Sequence, residues 1–194
     1  NNDDEVTKDA NSTDGSPLTA GSADFSKYVA IGDSFAAGYS DGALFIEGQK
    51  GAYPNILASQ FSLVGGGEFT TPYMSDNIGG FNLGGVQIAG YGPRLYYNGV
   101  APTSVSGVSG TDISAKLSGS FTNMGVPGAK AIHLAFSGYG SAAGNPYFTR
   151  FASSPTATIL GDALAQNPTF FSLWIGGNDE LGYATAGGDS SVNP

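Results

Sequence analysis

Three apolar stretches of the chain each end in a glycine turn, and this pattern is typical of buried strands. The first covers residues 28–31 and stops at Gly-Asp-Ser, and the second lies within residues 121–128. The third and strongest covers residues 169–175 and stops at Gly-Gly-Asn-Asp. Short apolar runs bounded by turn residues are expected for strands that are buried on both faces of a parallel sheet.

Apolar residues recur with helical spacing between these stretches. The segment Tyr53–Phe61, with Pro54 near its start, predicts one helix, and residues 155–165 predict another. Residues 129–136 fit the start of a helix, and residues 111–117 fit a short one. Alternating strands and helices predict an α/β fold whose parallel sheet carries its functional site at the carboxyl ends of the strands.

Residues 65–119 differ from this pattern because they are rich in Gly, Tyr, Ser and Asn. They predict a hairpin that turns at residues 90–93, with Val86 and Ile88 on one side and Leu95–Tyr97 on the other. Two interpretations of this insertion remain open. It either caps the site and shapes a substrate cleft, or it is a surface excursion without a role.

Acidic residues concentrate at the start of the chain. Of 16 acidic and 7 basic residues, which give a net charge of -9, six acids and one base lie in residues 1–24. This opening has few large apolar residues, so residues 1–25 are predicted to be a disordered acidic tether. It resembles the start of a mature bacterial lipoprotein just behind an acylated cysteine. That resemblance predicts an extracytoplasmic protein, held by a lipid anchor at the outer membrane or cell surface of a Gram-negative bacterium.

The composition excludes several kinds of chemistry. The chain has no cysteine, which excludes a disulfide framework, a thiolate metal site and a cysteine nucleophile. Its single histidine, His133, excludes a zinc site built on several histidines. Seven basic residues are too few to neutralise nucleic-acid phosphates on an acidic chain, so no nucleic-acid partner is expected. Neither a cofactor nor a metal is predicted.

The three glycine turns together carry a possible site. Ser34 follows the first strand, Gly128 the second and Asn178 the third, so all three are expected at the same edge of the sheet. Each turn alone is more typical of a helix cap or a tight turn. Together they offer a hydroxyl nucleophile and two separate donors for an oxyanion. The neighbouring Asp33 and Asp179 are each expected to hold their own turn by accepting hydrogen bonds from backbone N–H groups.

The order GDSFAAGY, NMGVPGA and GGND resembles the GDSL/SGNH hydrolases, a family of esterases and lipases. The resemblance covers about residues 26–183, within a domain predicted at residues 26–194, and implies a flavodoxin-like sheet between two helix layers. Ser34 matches the family's nucleophile, and Gly128 and Asn178 match its Gly and Asn. The resemblance therefore implies an oxyanion hole formed by the backbone N–H groups of Ser34 and Gly128 and by the amide of Asn178.

Two features depart from the family pattern. The family's Asp-x-x-His block is absent, and His133 precedes the GGND block among apolar residues, where a structural role is expected. Ser34 and Gly128 also lie 94 positions apart, although one helix and one strand need only about 30 residues. We therefore expect the base beyond residue 194, in a C-terminal strand and helix that this chain lacks. Without it the chain alone is expected to be nearly inactive.

The sequence leaves three functions open. The first is a secreted or surface-anchored serine esterase that acts on a small ester, a lipid or an acylated sugar. The second is a non-catalytic lipoprotein of the same fold that serves an outer-membrane complex as a binding or accessory subunit, since exposed aromatic residues favour recognition. The third is a carbohydrate deacetylase of the same family. The expected partners are the substrate, a membrane lipid anchor, and either an outer-membrane protein or the remaining C-terminal segment.

Overall fold

Seven strands and six α-helices make up a mixed α/β fold in the computed structural model, which describes residues 11–191. The strands are β1 (Tyr28–Gly32), β2 (Asn82–Leu83), β3 (Val86–Gln87), β4 (Leu95–Tyr97), β5 (Pro102–Ser104), β6 (Asn123–Gly125) and β7 (Phe170–Trp174). The helices are α1 (Ser34–Ala37), α2 (Ile46–Lys50), α3 (Tyr53–Phe61), α4 (Pro146–Thr149), α5 (Ile159–Ala165) and α6 (Gly177–Thr185). Two 3₁₀ segments cover Ser62–Val64 and Ala131–Ala135.

Strands β1, β6 and β7 form a parallel sheet with β1 in the centre. Gly32 at the end of β1 lies opposite Gly125 of β6 and opposite Trp174 of β7. The three strands therefore end at one edge of the sheet, as the sequence predicted. All five residues of β1 are buried, because α1 and α5 pack against this strand.

Local sequence patterns predicted several elements correctly. The three parallel strands and helix α3 are confirmed, and α3 has the predicted bounds. Helix α5 begins at Ile159, later than predicted, because the Thr158 side chain caps it by accepting from the N–H of Gly161 at 2.9 Å. Residues 131–135 form a 3₁₀ segment where the start of an α-helix was predicted.

Two predictions in the insertion are wrong. The insertion forms two short hairpins, β2–β3 and β4–β5, and no hairpin turns at residues 90–93. The β2–β3 turn consists of Gly84 and Gly85, which both have positive φ and suit a two-residue hairpin loop. Residues 111–117 contain no helix. There Asp112 accepts from the N–H of Ser114 at 2.8 Å, a local bond that competes with helix formation.

The insertion contributes to the core of the protein. Phe81, which is fully buried, packs in the same cluster as Val29 of β1, Met124 of β6 and Phe148 of α4. The phenol ring of Tyr91 also packs at the edge of this cluster. Because the insertion supplies core side chains, it is not a mere surface excursion, and its role at the cleft stays a prediction.

The predicted tether lies partly outside the described residues, since residues 1–10 are not among them. Residues 11–24 contain neither helix nor strand. The packed domain begins at Phe25, whose ring stacks on that of Phe61 at 4.0 Å. In residues 11–191 no helix has the length and apolar character needed to cross a bilayer.

Gly125 permits a close approach between β6 and α1, and its replacement by alanine tests that contact. A Cβ atom at Gly125 would overlap the backbone of Ala36 and Ala37. We expect Gly125→Ala to lower the free energy of unfolding by about 2 kcal/mol, because helix and sheet must separate. Urea denaturation measures this change. Gly92→Ala is the matched control, because a Cβ there meets open space, and equal losses in both variants would contradict the prediction.

Candidate functional site

Ser34, Gly128 and Asn178 line one cleft of about 370 Å³. The sequence predicted these three residues at one edge of the sheet, and the structure brings them together there. Six other residues complete the lining of the cleft: Tyr39, Gly90, Tyr91, Pro127, Asn145 and Tyr147. None of the nine side chains carries a charge at neutral pH, so the cleft is uncharged.

Ser34 stands at the first position of α1, directly beyond β1. The buried carboxylate of Asp33 caps this helix by accepting from the N–H of Phe35 at 3.0 Å, which fixes the turn as the sequence predicted. Neither the hydroxyl nor the backbone N–H of Ser34 makes a hydrogen bond to any residue in the range 11–191. Both groups are therefore available to a ligand in the cleft.

Gly128 supplies a second available N–H. Its φ of +81° lies in the left-handed region, which a glycine adopts without strain. Its N–H has no hydrogen-bond partner in residues 11–191. The preceding carbonyl, that of Pro127, accepts from the Asn145 amide at 2.8 Å, and this bond holds the turn against α4.

Asn178 lies in the first turn of α6 and binds the segment that follows Gly128. Its amide donates one hydrogen to the carbonyl of Ala129 at 2.8 Å, which leaves the second hydrogen for the cleft. The carboxylate of Asp179 accepts from the N–H of Ala131 at 3.0 Å. Asp179 was expected to hold its own turn. Its carboxylate instead binds the turn after Gly128, because α6 begins beside residues 129–131.

The arrangement suits stabilisation of an oxyanion beside a nucleophile. The residues that line the cleft with the Ser34 hydroxyl offer two backbone N–H groups and one amide hydrogen that make no hydrogen bond within residues 11–191. Donors fixed by the fold stabilise negative charge without having to reorganise when the charge develops. Such a set favours attack on an ester carbonyl, provided that a base removes the hydroxyl proton.

No such base lines the cleft among residues 11–191. His133 is held elsewhere, because its Nδ1 accepts from the N–H of Lys130 at 3.0 Å and its ring stacks on Tyr139 at 4.4 Å. Partial burial, and then the nearby charge of Lys130, lower the pKa of His133 below its usual 6.5, while Asp179 opposes them. The structural role expected for His133 agrees with these contacts.

The sequence alone did not indicate Asn145. Its amide donates to the carbonyl of Pro127 and to the Tyr139 hydroxyl, at 2.8 and 2.9 Å. Its side-chain oxygen caps α4 by accepting from the N–H of Tyr147 at 2.9 Å. The Asn-Pro pair signals such a cap, but no local pattern reveals the long-range bond to Pro127.

A second groove, of about 440 Å³, lies beside the cleft and shares Tyr39 with it. Phe35, Tyr53 and Trp174 line it, and the Trp174 ring centroid lies 5.6 Å from those of both other rings. The outer side of β7 is also uncovered. Phe171 and Leu173 of this edge strand are 60% and 53% exposed, although both are large and apolar.

In residues 11–191 no three His, Asp or Glu side chains lie where they could share a metal ion. Neither the protein-family models, nor the curated proteins, nor the solved structures compared with this chain contain a significant match. The geometry of the cleft and the sequence motifs are therefore the basis for a functional proposal.

The bonds of Asn145 can be tested by its removal. We expect Asn145→Ala to lower the free energy of unfolding by about 2 kcal/mol, because it removes a helix cap and the bonds to Pro127 and Tyr139. Thr158→Ala is the control, since it removes only the cap of α5 and is expected to cost about 1 kcal/mol. Equal losses in thermal or urea unfolding would show that the bonds to Pro127 and Tyr139 contribute nothing.

The state of His133 can be read directly, because it is the only histidine of the chain. We expect its ring resonances in proton NMR to titrate below pH 6.5, and Lys130→Gln to raise that pKa. A lowered folded pKa means that the unfolded chain binds the proton more readily. The contribution to stability is therefore fully present above pH 6.5 and is lost as the pH falls from there through the lower pKa of the folded protein. A pKa above 6.5 would instead indicate a carboxylate partner for the ring.

Proposed function

We propose that this protein is a serine ester hydrolase of the GDSL/SGNH type and that Ser34 is its nucleophile. One observation carries the proposal: the Ser34 hydroxyl and two backbone N–H groups, none of them hydrogen-bonded within residues 11–191, line the same uncharged cleft as Asn178. The three motifs that supply these groups lie at the ends of three adjacent parallel strands. The proposed fold is flavodoxin-like, with helix layers on both faces of the sheet.

The proposed reaction has two steps. The Ser34 oxygen attacks the ester carbonyl while a base takes its proton, and the oxyanion receives hydrogen bonds from Ser34, Gly128 and Asn178. The bond to the alcohol then breaks, and the alcohol leaves with the proton from the base. Water next attacks the acyl group on Ser34, which releases the acid and restores the hydroxyl. One ester and one water thus give one acid and one alcohol.

The base in this proposal belongs to a His–Asp pair outside residues 1–194, as the family resemblance implies. Two observations support this assignment. No acid or base lines the cleft within residues 11–191, and the outer side of β7 presents apolar side chains to solvent. A further strand along β7 would end at the edge where Ser34 lies, since strands of a parallel sheet share that edge.

The second candidate function is a non-catalytic binding or accessory subunit on the bacterial surface. It is favoured by the absence of an acid–base side chain in the cleft, within the part of the chain that the structure describes, and by exposed apolar residues on the β4–β5 hairpin. Tyr97 and Val100 of that hairpin are 70% and 87% exposed. Location at the outer membrane, for either function, rests on the acidic opening of the sequence.

Covalent labelling of Ser34 distinguishes the two functions. We expect a fluorophosphonate to label Ser34 of this chain slowly, on the order of 10⁴-fold or more below an intact triad, because no histidine or carboxylate of the described residues lines the cleft. Mass spectrometry of the labelled peptide should locate the adduct. Ser34→Ala should remove it, whereas Ser40→Ala, a nearby serine of the second groove, should keep it.

The dependence of labelling on pH provides a further test. Without a base, the rate should rise continuously with pH, because only the rare alkoxide of Ser34 reacts. A plateau between pH 6 and 8 would show that a histidine within this chain takes the proton. Labelling that persists in Ser34→Ala, or no labelling at all in the intact chain, would contradict the esterase proposal and favour the binding subunit.

A further inference from the structure

Three tyrosines form one side of the cleft, and we call Tyr39, Tyr91 and Tyr147 the tyrosine wall. They come from separate parts of the chain: Tyr39 follows α1, Tyr91 belongs to the insertion, and Tyr147 lies in α4. The ring of Tyr147 contacts both others edge to face, with centroid distances of 6.3 Å to Tyr39 and 5.9 Å to Tyr91. The wall is therefore a packed unit and not a set of independent side chains.

Two hydroxyl groups of this wall have no partner in residues 11–191. The Tyr39 hydroxyl donates to the carbonyl of Gly42 at 2.6 Å, whereas those of Tyr91 and Tyr147 make no hydrogen bond there. Tyr147 is only 7% exposed. No fully buried side-chain N or O atom in that range lacks a partner, so the Tyr147 hydroxyl must reach an opening.

Tyr147 lines the cleft and also a small hole of about 10 Å³ that Arg150 lines as well. The hole has room for about one water molecule, so of these two openings only the cleft has room for a larger ligand. Burial raises the pKa of Tyr147, the nearby phenols of Tyr39 and Tyr91 raise it further, and the charge of Arg150 opposes them. The group therefore remains protonated at neutral pH and acts as a donor or an acceptor.

The chemistry of the lining restricts the ligand. Because no lining side chain is charged and the chain carries a net charge of -9, an anionic ligand would find no counter-charge and an unfavourable field. An alkyl chain would displace water from the hydroxyls of Tyr91 and Tyr147 without replacing its hydrogen bonds, which is costly for polar groups. A neutral ring with several hydroxyl groups satisfies these donors and also covers the apolar faces of the tyrosines.

We propose that the tyrosine wall binds a neutral, polyhydroxylated ring, such as a sugar residue, that carries the ester presented to Ser34. This inference rests on the proposed function, because it assigns the alcohol part of the substrate for the same cleft. Tyr91 and Tyr147 recognise the ring through their hydroxyls, and Tyr39 contributes its aromatic surface. The insertion thereby determines specificity, since Tyr91 is its residue in the cleft together with Gly90.

Two acetate esters that differ only in the alcohol test the proposal. The probes are methyl 6-O-acetyl-α-D-glucopyranoside and hexyl acetate, each titrated into the chain while backbone amide resonances are followed by NMR. We expect the sugar ester to bind at least fivefold more tightly and to shift the resonances of Gly128. The substitutions Tyr91→Phe and Tyr147→Phe should each raise the dissociation constant of the sugar ester three- to tenfold, because each removes about one hydrogen bond.

Tyr96→Phe is the matched control, because Tyr96 is an exposed tyrosine of the same insertion that does not line the cleft. It should leave the dissociation constant unchanged, and the melting temperature of each variant verifies folding. Equal binding of both esters, or Phe variants that bind like the intact chain, would overturn the proposal. Failure of the proposed function has a different signature: sugar binding that depends on Tyr91 and Tyr147, with no fluorophosphonate adduct on Ser34.

Discussion

The pairing of β1 with a strand on each side is the constraint on which the rest of the structure depends. All five residues of β1 are buried, so its backbone groups must be satisfied by β6 and β7 or remain unpaired at high cost. The register of both ladders places Gly32 opposite Gly125 and Trp174. Because neighbouring strands lie about 4.8 Å apart, the spacing of the strands alone makes the turns that follow them adjacent.

Asparagine side chains join these turns to one another. Asn123, which is buried, donates to the carbonyl of Ala36 in α1, Asn178 donates to Ala129, and Asn145 donates to Pro127. Each amide thus satisfies a carbonyl of a different segment, while the N–H groups of Ser34 and Gly128 stay available. Donors held in this way are organised before a substrate arrives, which is the condition for effective stabilisation of an oxyanion.

The sequence predicted the sheet and three residues of the cleft because both depend on local patterns. Apolar runs followed by glycine turns identify β1, β6 and β7, and chain order alone places Ser34 at their shared edge. The insertion was predicted less well, because the side chain of Gln87 fixes its path. Its amide donates to the carbonyls of Phe81 and Tyr91, and its oxygen accepts from the N–H of Ser109, 22 residues away in sequence. Tyr147 reaches the cleft by packing against Tyr39 and Tyr91, and no periodicity encodes that contact.

The uncovered face of β7 and the proposed position of the base are connected by geometry. Phe171 and Leu173 expose large apolar surface to water. An element that covered them would stabilise the protein by about 25 cal/mol for each Å² of this surface that it buried. A strand paired along β7 together with a helix packed over Phe171 and Leu173 would recover this energy, and in a parallel sheet the strand would end at the same edge as Ser34. A residue just beyond that strand would face the cleft as Ser34 and Asn178 do. In the proposed enzyme, a strand and helix packed against β7 would therefore both cover the apolar face and bring a proton acceptor to Ser34.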